Sequence, residues 1–239
     1  MVNLSEFTEN LKSDRDTQIT VVLIIFFMIA FPAYFNYASN NVSSSGALGS
    51  VGNYNVTGEF TLIELDSATE GIADGETLTI NLHSDAVKSQ IADKNVVAVI
   101  VNMSYDEDET ETPTIPGGCV GPAGGQDAPD TISATVSRAN NTASGTGQNP
   151  GGHAVTAEWY DSSIMGSVVT GLSESEIMAM LEGGDTGIGD YVVDISVTAE
   201  AGNSPGPSCN RDDGGEEVEY TVSLVILDYA ITPDVELEV

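Results

Sequence analysis

The chemistry this chain could do is concentrated in its carboxylates. Asp106-Glu107-Asp108-Glu109-Thr110-Glu111 forms one acidic run, Asp127 and Asp130 follow Cys119, and Asp212, Asp213, Glu216 and Glu217 follow Cys209. Calcium takes about six to eight hard oxygen ligands, and two acidic loops pinned together by a disulfide would supply them. Asp106, Asp108, Asp212 and Asp213 are the candidate ligands, and Ca2+ is the one cofactor to which the sequence points. The run is not an EF-hand, because Glu111 stands where that loop requires glycine. The competing expectation is a solvated acidic loop that holds no ion.

Other signatures of reactivity fail on context. Asp185-Thr186-Gly187 spells the aspartic-protease triplet, in which one carboxylate of a dyad activates water. That triplet should follow an apolar strand and needs a second copy; here it follows Glu182-Gly183-Gly184, has no second copy, and reads as a helix-to-strand turn. His83 and His153 are the only histidines and lack the spacing of a zinc site. Neither a G-x-S-x-G elbow nor a P-loop occurs. The expectation is a protein without enzymatic activity.

Composition narrows the partners. Six Lys and Arg against 37 Asp and Glu leave a formal net charge of -31, which repels phosphate backbones and excludes nucleic acid as a partner. The acids are scattered as well as clustered, so a soluble, self-repelling surface accounts for most of them. Cys119 and Cys209 are the only cysteines, each in a Gly/Pro-rich loop and neither in a CxxC or zinc pattern. A disulfide between them closes a loop of about 90 residues, for which chain entropy allows roughly 4 kcal/mol. Asn41 and Asn140 head glycosylation sequons, while the similar triplets at Asn55 and Asn102 fall within strands.

The elements that must position these groups begin with a membrane anchor. Thr17 to Phe35 reads TQITVVLIIFFMIAFPAYF, about 19 residues without a charge, close to the ~20 that a spanning helix needs. Its apolar part exceeds a signal-peptide core, and Asn36-Tyr37-Ala38 is a poor cleavage site. Lys12 and Arg15 precede it and no Lys or Arg follows until Lys88, which orients the N-terminus to the cytoplasm. Pro32 is tolerable as a kink. The expected organisation is a cytoplasmic segment over 1–16, a transmembrane helix over 17–36, a Ser/Asn/Gly-rich linker over 37–53, and an acidic ectodomain over 54–239. The chain would then sit in the plasma membrane with a single span and its C-terminal domain outside.

Within the ectodomain, period-two alternation and β-branched residues recur between turn signals, which predicts antiparallel β structure. Eight strands are expected: Val56 to Leu65, Thr77 to His83, Val96 to Tyr105, Thr131 to Ser137, Ala154 to Tyr160, Ser167 to Thr170, Tyr191 to Glu200 and Val218 to Tyr229. Val56, Gly58, Phe60 and Leu62 should share one face. Trp159, Tyr191, Val193, Ile195, Val222 and Leu224 should share a core, with Val197 on the same face and Asp190, Asp194 and Ser196 outside. Helices are expected at Ser84 to Ala92 and Ser173 to Glu182, the second with a Ser173/Glu176 capping box and Gly183 at C′. Bonded cysteines require their two loops at one end of the molecule, hence an even number of reversals between them. Counting the strand at Ser167 to Thr170 satisfies that condition, and places the bridged loops at the end opposite the chain entry.

Gly189-Asp190-Tyr191-Val192-Val193-Asp194-Ile195-Ser196-Val197-Thr198-Ala199 resembles the G-x-Y-x-V-x-V-x-V penultimate strand of PKD-like and other immunoglobulin-like extracellular modules. The resemblance covers one strand, and the W-x-F-G-D-G-like stretch of PKD modules is replaced by Trp159-Tyr160-Asp161-Ser162-Ser163. It implies a mainly β, antiparallel immunoglobulin-like β-sandwich used for adhesion or ligand display. The function expected is thus a membrane-anchored binding or adhesion module with an extracellular protein or glycan partner. The alternative is a pilin-like or other structural subunit of a cell-surface assembly, against which Asp16 after Arg15 breaks the usual prepilin signal.

Overall fold

The computed structural model describes residues 51–106, 110–119, 128–148, 150–204 and 206–234, with residues 15, 19, 23 and 26–32 of the N-terminal segment. Most of the expected span at 17–36 lies outside the described residues, as do Asn41 and Asp108. Residues 26–32 are helical, and Phe26, Phe27, Met28, Ile29 and Phe31 are all exposed. Among the described residues no helix is long and apolar enough to cross a membrane. Contacts divide the chain into two units, Met1–Ser50 and Val51–Val239, and the described strands all lie in the second.

Eleven strands form this unit among the described residues: β1 (Gly52–Ala73), β2 (Thr77–His83), β3 (Val96–Tyr105), β4 (Thr110–Pro113), β5 (Thr131–Arg138), β6 (Asn141–Gln148), β7 (Gly151–Glu158), β8 (Val168–Leu172), β9 (Asp190–Thr198), β10 (Cys209–Asp212) and β11 (Gly215–Pro233). One sheet has the order β7-β3-β11-β1-β8, a second β2-β9-β5-β6, and β4 pairs with β10 as a separate ribbon. Every pairing is antiparallel.

Alternation explains how the two large sheets meet. Tyr191, Val193, Ile195 and Val197 on β9 are at most 1% exposed, and with Ile132, Ala134 and Val136 on β5 they pack against Val99 and Val101 on β3 and Val222 and Leu224 on β11. Asp194 is half-buried where Ile195 is buried, so the register expected for β9 holds; a slip of one residue would have reversed it. Trp159 packs at the margin of this core and donates from Nε1 to the Val96 carbonyl at 2.7 Å. Tyr191 donates its hydroxyl to the Gly187 carbonyl at 2.6 Å. Burial pushes its pKa up to about 12 despite Arg138, whose guanidinium lies 5.5 Å from the ring centre. The outward face of the second sheet is lined by hydroxyls and carboxylates, including Thr79 to Asp194 at 2.6 Å and Ser133 with Ser196 at 2.9 Å.

The first sheet is covered on its other face too, but only in part. Val56, Val97 and Leu227 pack there against Ile177 and Leu181 of α2 (Glu174–Leu181), which explains why the VVAVIV run of β3 is apolar on both sides. Val56, Gly58, Phe60 and Leu62 do share a face, but it is this outer one, and Phe60 and Leu62 are 50% and 55% exposed. The central core instead takes Ile63, Leu65, Ala68 and Ile72 from β1, whose parity changes at a bulge between Glu64 and Asp66.

The helices follow their local signals closely. Ser84–Val87 is a 3-10 turn leading into α1 (Lys88–Ile91). In α2 the Ser173 and Glu176 capping box forms: the Glu176 carboxylate accepts from the Ser173 backbone N–H at 2.7 Å, which holds its pKa below the usual carboxylate value. Gly183 is not the left-handed C′ residue, since its φ is -72° and Gly184 takes φ +53°. Gly183 is needed for close packing instead, because a Cβ there would collide with the Val96 carbonyl and sit 2.6 Å from Trp159 Nε1.

The two ends of this unit are now distinct. Tyr54 pairs with Pro233 at the entry end and Ala73 with Gly215 at the other. At that other end the β1–β2 turn meets β9 and the β10–β11 turn, with Gly75 N–H donating to the Val197 carbonyl and Asp74 N–H to the Gly214 carbonyl, both at 3.0 Å. The loops carrying Cys119 and Cys209 leave β3 and β9 there, opposite the entry, as expected. The reversals behind that outcome differ from the expected ones. β7 and β8 run the same way, because their partners β3 and β1 are both antiparallel to β11. The missing reversal comes from β6, whose NTASGTGQ sequence carries no apolar alternation.

Candidate cation site

The bridged end is built from two short strands and one covalent bond. Cys119 and Cys209 are bonded, with Cα atoms 4.9 Å apart. Beside them β4 and β10 pair Glu111 with Arg211 and Thr110 with Asp212, so the two acidic segments do lie together. Arg211 Nη1 sits 3.9 Å from Glu111 Oε1.

The three expected calcium ligands among the described residues, Asp106, Asp212 and Asp213, are not brought to one point. Asp106 is exposed at the end of β3, beside a groove of about 360 Å³ on the outer face of the first sheet, lined also by Ser104, Glu217 and Glu219. Asp212 is exposed on β10, where alternation sends it to the opposite side from Arg211. Asp108 lies outside the described residues. Among the described candidates only Asp213 turns inward, with Oδ1 accepting from Gly215 N–H at 3.1 Å.

Asp213 meets two carboxylates that were not among those candidates. Asp130, Asp213 and Glu216 each place an oxygen within 4.8 Å of the other two. Asp130 is fully buried and Glu216 is 2% exposed. Asp130 is held from two directions: Oδ1 accepts from Glu200 N–H at 2.7 Å, and its carbonyl accepts from the Tyr105 hydroxyl at 2.7 Å. Its Oδ2 is buried and has no hydrogen-bond partner. A signal for this trio was present in the alternation. Asp130 extends the inward parity of Ile132, Ala134 and Val136, and Glu216 extends that of Val218, Tyr220 and Val222.

The carboxylates can do one thing together that none does alone. An ionised carboxylate taken out of water is costly unless a cation or donors replace the lost hydration. Three of them around one point form a set of hard oxygens, the donor type that selects Ca2+ or Mg2+ over softer metals. A second grouping, Glu111 with Cys119 and Cys209, offers no thiolate, since both sulfurs are in the disulfide.

The remaining candidates sit in local structural roles. Asp185 is exposed in a 3-10 turn (Gly184–Gly187) between α2 and β9, the helix-to-strand turn that its context implied. His83 caps the turn before α1, its Nδ1 accepting from Asp85 N–H at 3.1 Å, and the His153 ring lies 6.3 Å from that of Tyr105. Asn140 is exposed in the turn between β5 and β6, and Asn55 and Asn102 are exposed on strands.

No protein-family model and no curated protein matches this chain. Among solved structures it is similar to one of desmodium yellow mottle tymovirus, at 13% identity and a TM-score of 0.27, covering 83% of this chain and 100% of that one. It is also similar to TmCBM61 in complex with beta-1,4-galactotriose, at 10% identity and a TM-score of 0.22, covering 78% of this chain and 92% of that one. At those TM-scores neither likeness assigns a fold or a ligand.

Proposed function

We propose that the protein is a single-pass, membrane-anchored binding or adhesion module whose immunoglobulin-like β-sandwich is displayed outside the plasma membrane. The observation that carries this reading is the polarity of the folded unit. The chain enters it near Gly52, shortly after the apolar segment 17–36, and the disulfide, the acidic ribbon and the inward carboxylates all lie at the opposite end. The helical residues 26–32 support an anchor, because large apolar side chains are exposed there. A disulfide between the only two cysteines supports an oxidising location. In this reading Lys12 and Arg15 keep the N-terminus cytoplasmic, and the partner is an extracellular protein or glycan met by side-chain contacts rather than by catalysis.

Fractionation of cells expressing the full chain tests the reading. The protein should stay in the membrane pellet through alkaline carbonate, and protease added to intact cells should remove residues 54–239. Release by carbonate would remove the anchor, and protection from external protease would reverse the orientation.

A further inference from the structure

We infer that Asp130, Asp213 and Glu216 form a calcium site that clamps the two large sheets together at the bridged end. The inference does not depend on the membrane reading, and its test fails or succeeds independently of where the protein resides.

Acidity alone would not justify a site on so acidic a chain. Asp130 is fully buried and fixed by hydrogen bonds from Glu200 N–H and Tyr105 to its Oδ1 and carbonyl, yet its Oδ2 is buried with no hydrogen-bond donor. A buried carboxylate oxygen without a donor loses its hydration and gains nothing in return. A cation between it and the other two carboxylates supplies the missing partner. Oxygens within 4.8 Å of one another fit around Ca2+, whose ligands lie at about 2.3–2.6 Å; Mg2+, at about 2.0–2.1 Å, demands a tighter set.

The placement of the three residues gives the ion a structural task. Asp130 immediately precedes β5 in one sheet, whereas Asp213 and Glu216 flank the start of β11 in the other. The disulfide joins loop to loop beside this point but does not bond sheet to sheet. An ion held by both sheets would close the end of the core, and its occupancy would follow the millimolar calcium range of extracellular modules, about 10⁻⁴ to 10⁻³ M. Arg211 lies on the neighbouring ribbon and pairs with Glu111. A guanidinium that fully neutralised the trio would leave calcium without a specific effect.

The test is thermal unfolding of the full chain in detergent after chelation, with calcium chloride added against sodium chloride of equal ionic strength. Calcium at saturation should raise the midpoint by about 5 °C or more beyond the salt control. Asp130→Asn keeps the Oδ1 acceptor for Glu200 N–H, so it should fold, lose the calcium shift, and match or exceed the wild type in chelator because one buried charge is gone. Glu216→Gln should also lose the shift, whereas Asp212→Asn should keep it. On the wild-type chain, terbium luminescence sensitised by Tyr105 should saturate at one ion and be displaced by calcium. A midpoint rise no greater than that in sodium chloride overturns the proposal, as does a shift that survives Asp130→Asn or disappears in Asp212→Asn.

Discussion

The two ends of the folded unit are closed by different physics. At the entry end α2 lays Ile177 and Leu181 over Val56, Val97 and Leu227, and both helix residues are fully buried. At the bridged end a covalent bond, a ribbon of two four-residue strands and buried carboxylates replace that apolar cover. Apolar burial is non-directional and tolerates changes in solution chemistry. A disulfide and a carboxylate cluster depend on redox state, cations and pH. One end is therefore buffered against the surroundings, and the other is coupled to them.

The sharpest way to break this contrast is to reduce the disulfide or replace both cysteines with serine. Stability should fall by about 4 kcal/mol on the chain-entropy scale, measured by denaturant midpoints under oxidising and reducing conditions. A loss below about 1 kcal/mol would mean that the ribbon already holds the loops.

Leu181→Ala attacks the other end. It should cost about 3 kcal/mol, within the range for buried leucine truncations, with the same increment in oxidising and reducing buffer. An increment that depends on redox state would show that the ends are coupled.

Alkaline titration probes the core near α2 more gently. Tyr191 has its folded pKa raised by burial from 10.0 to about 12, so the stability it contributes is fully present below pH 10 and is lost as pH rises toward 12. Tyr191→Phe should flatten the decline of stability over that window. If both chains decline in parallel, other tyrosines carry the effect.

The smallest effect should come from Ser173→Ala, which removes the N-cap of α2 and costs about 1 kcal/mol. The same substitution removes the Ser173 hydroxyl's bond to Glu176 and leaves the backbone N–H bond, so the carboxylate is released only in part. Its folded pKa is depressed, so its contribution is present above its unfolded pKa and fades as pH falls through the folded value. The Ser173→Ala penalty should therefore shrink in acid, and a penalty constant with pH would separate the cap from the carboxylate.

Legibility in the sequence followed the range of the interactions. β9 and α2 were readable because their signals lie within one element: alternation over nine residues, and a cap four residues long. β6 was not, because it is held by neighbours rather than by its own composition. Its side chains bond those of β5 through Thr135 with Ser144 at 2.9 Å, Ser137 with Thr142 at 3.1 Å and Gln148 to Thr131 at 3.0 Å. Its Gly145 and Gly147 leave room for Val155 and His153 of β7. A strand made of serine, threonine and glycine looks like a loop until its partners are known.

By itself, then, the sequence determined the antiparallel β class, the bonded cysteine pair, the inward faces of β5, β9 and β11, and the capped helix, since each follows from local periodicity or from a count of two thiols. Tertiary structure alone decided which face of β1 meets the central core, because a bulge at Leu65 changes parity midway and α2 claims only part of the outer face. It also decided which carboxylates meet. Asp106 and Asp212 stand in the densest acidic runs but point to water, whereas Asp130 and Glu216 continue apolar faces and are carried inward with them. The physical reason is that strand parity aims a side chain locally, while the pairing of distant strands determines what it is aimed at.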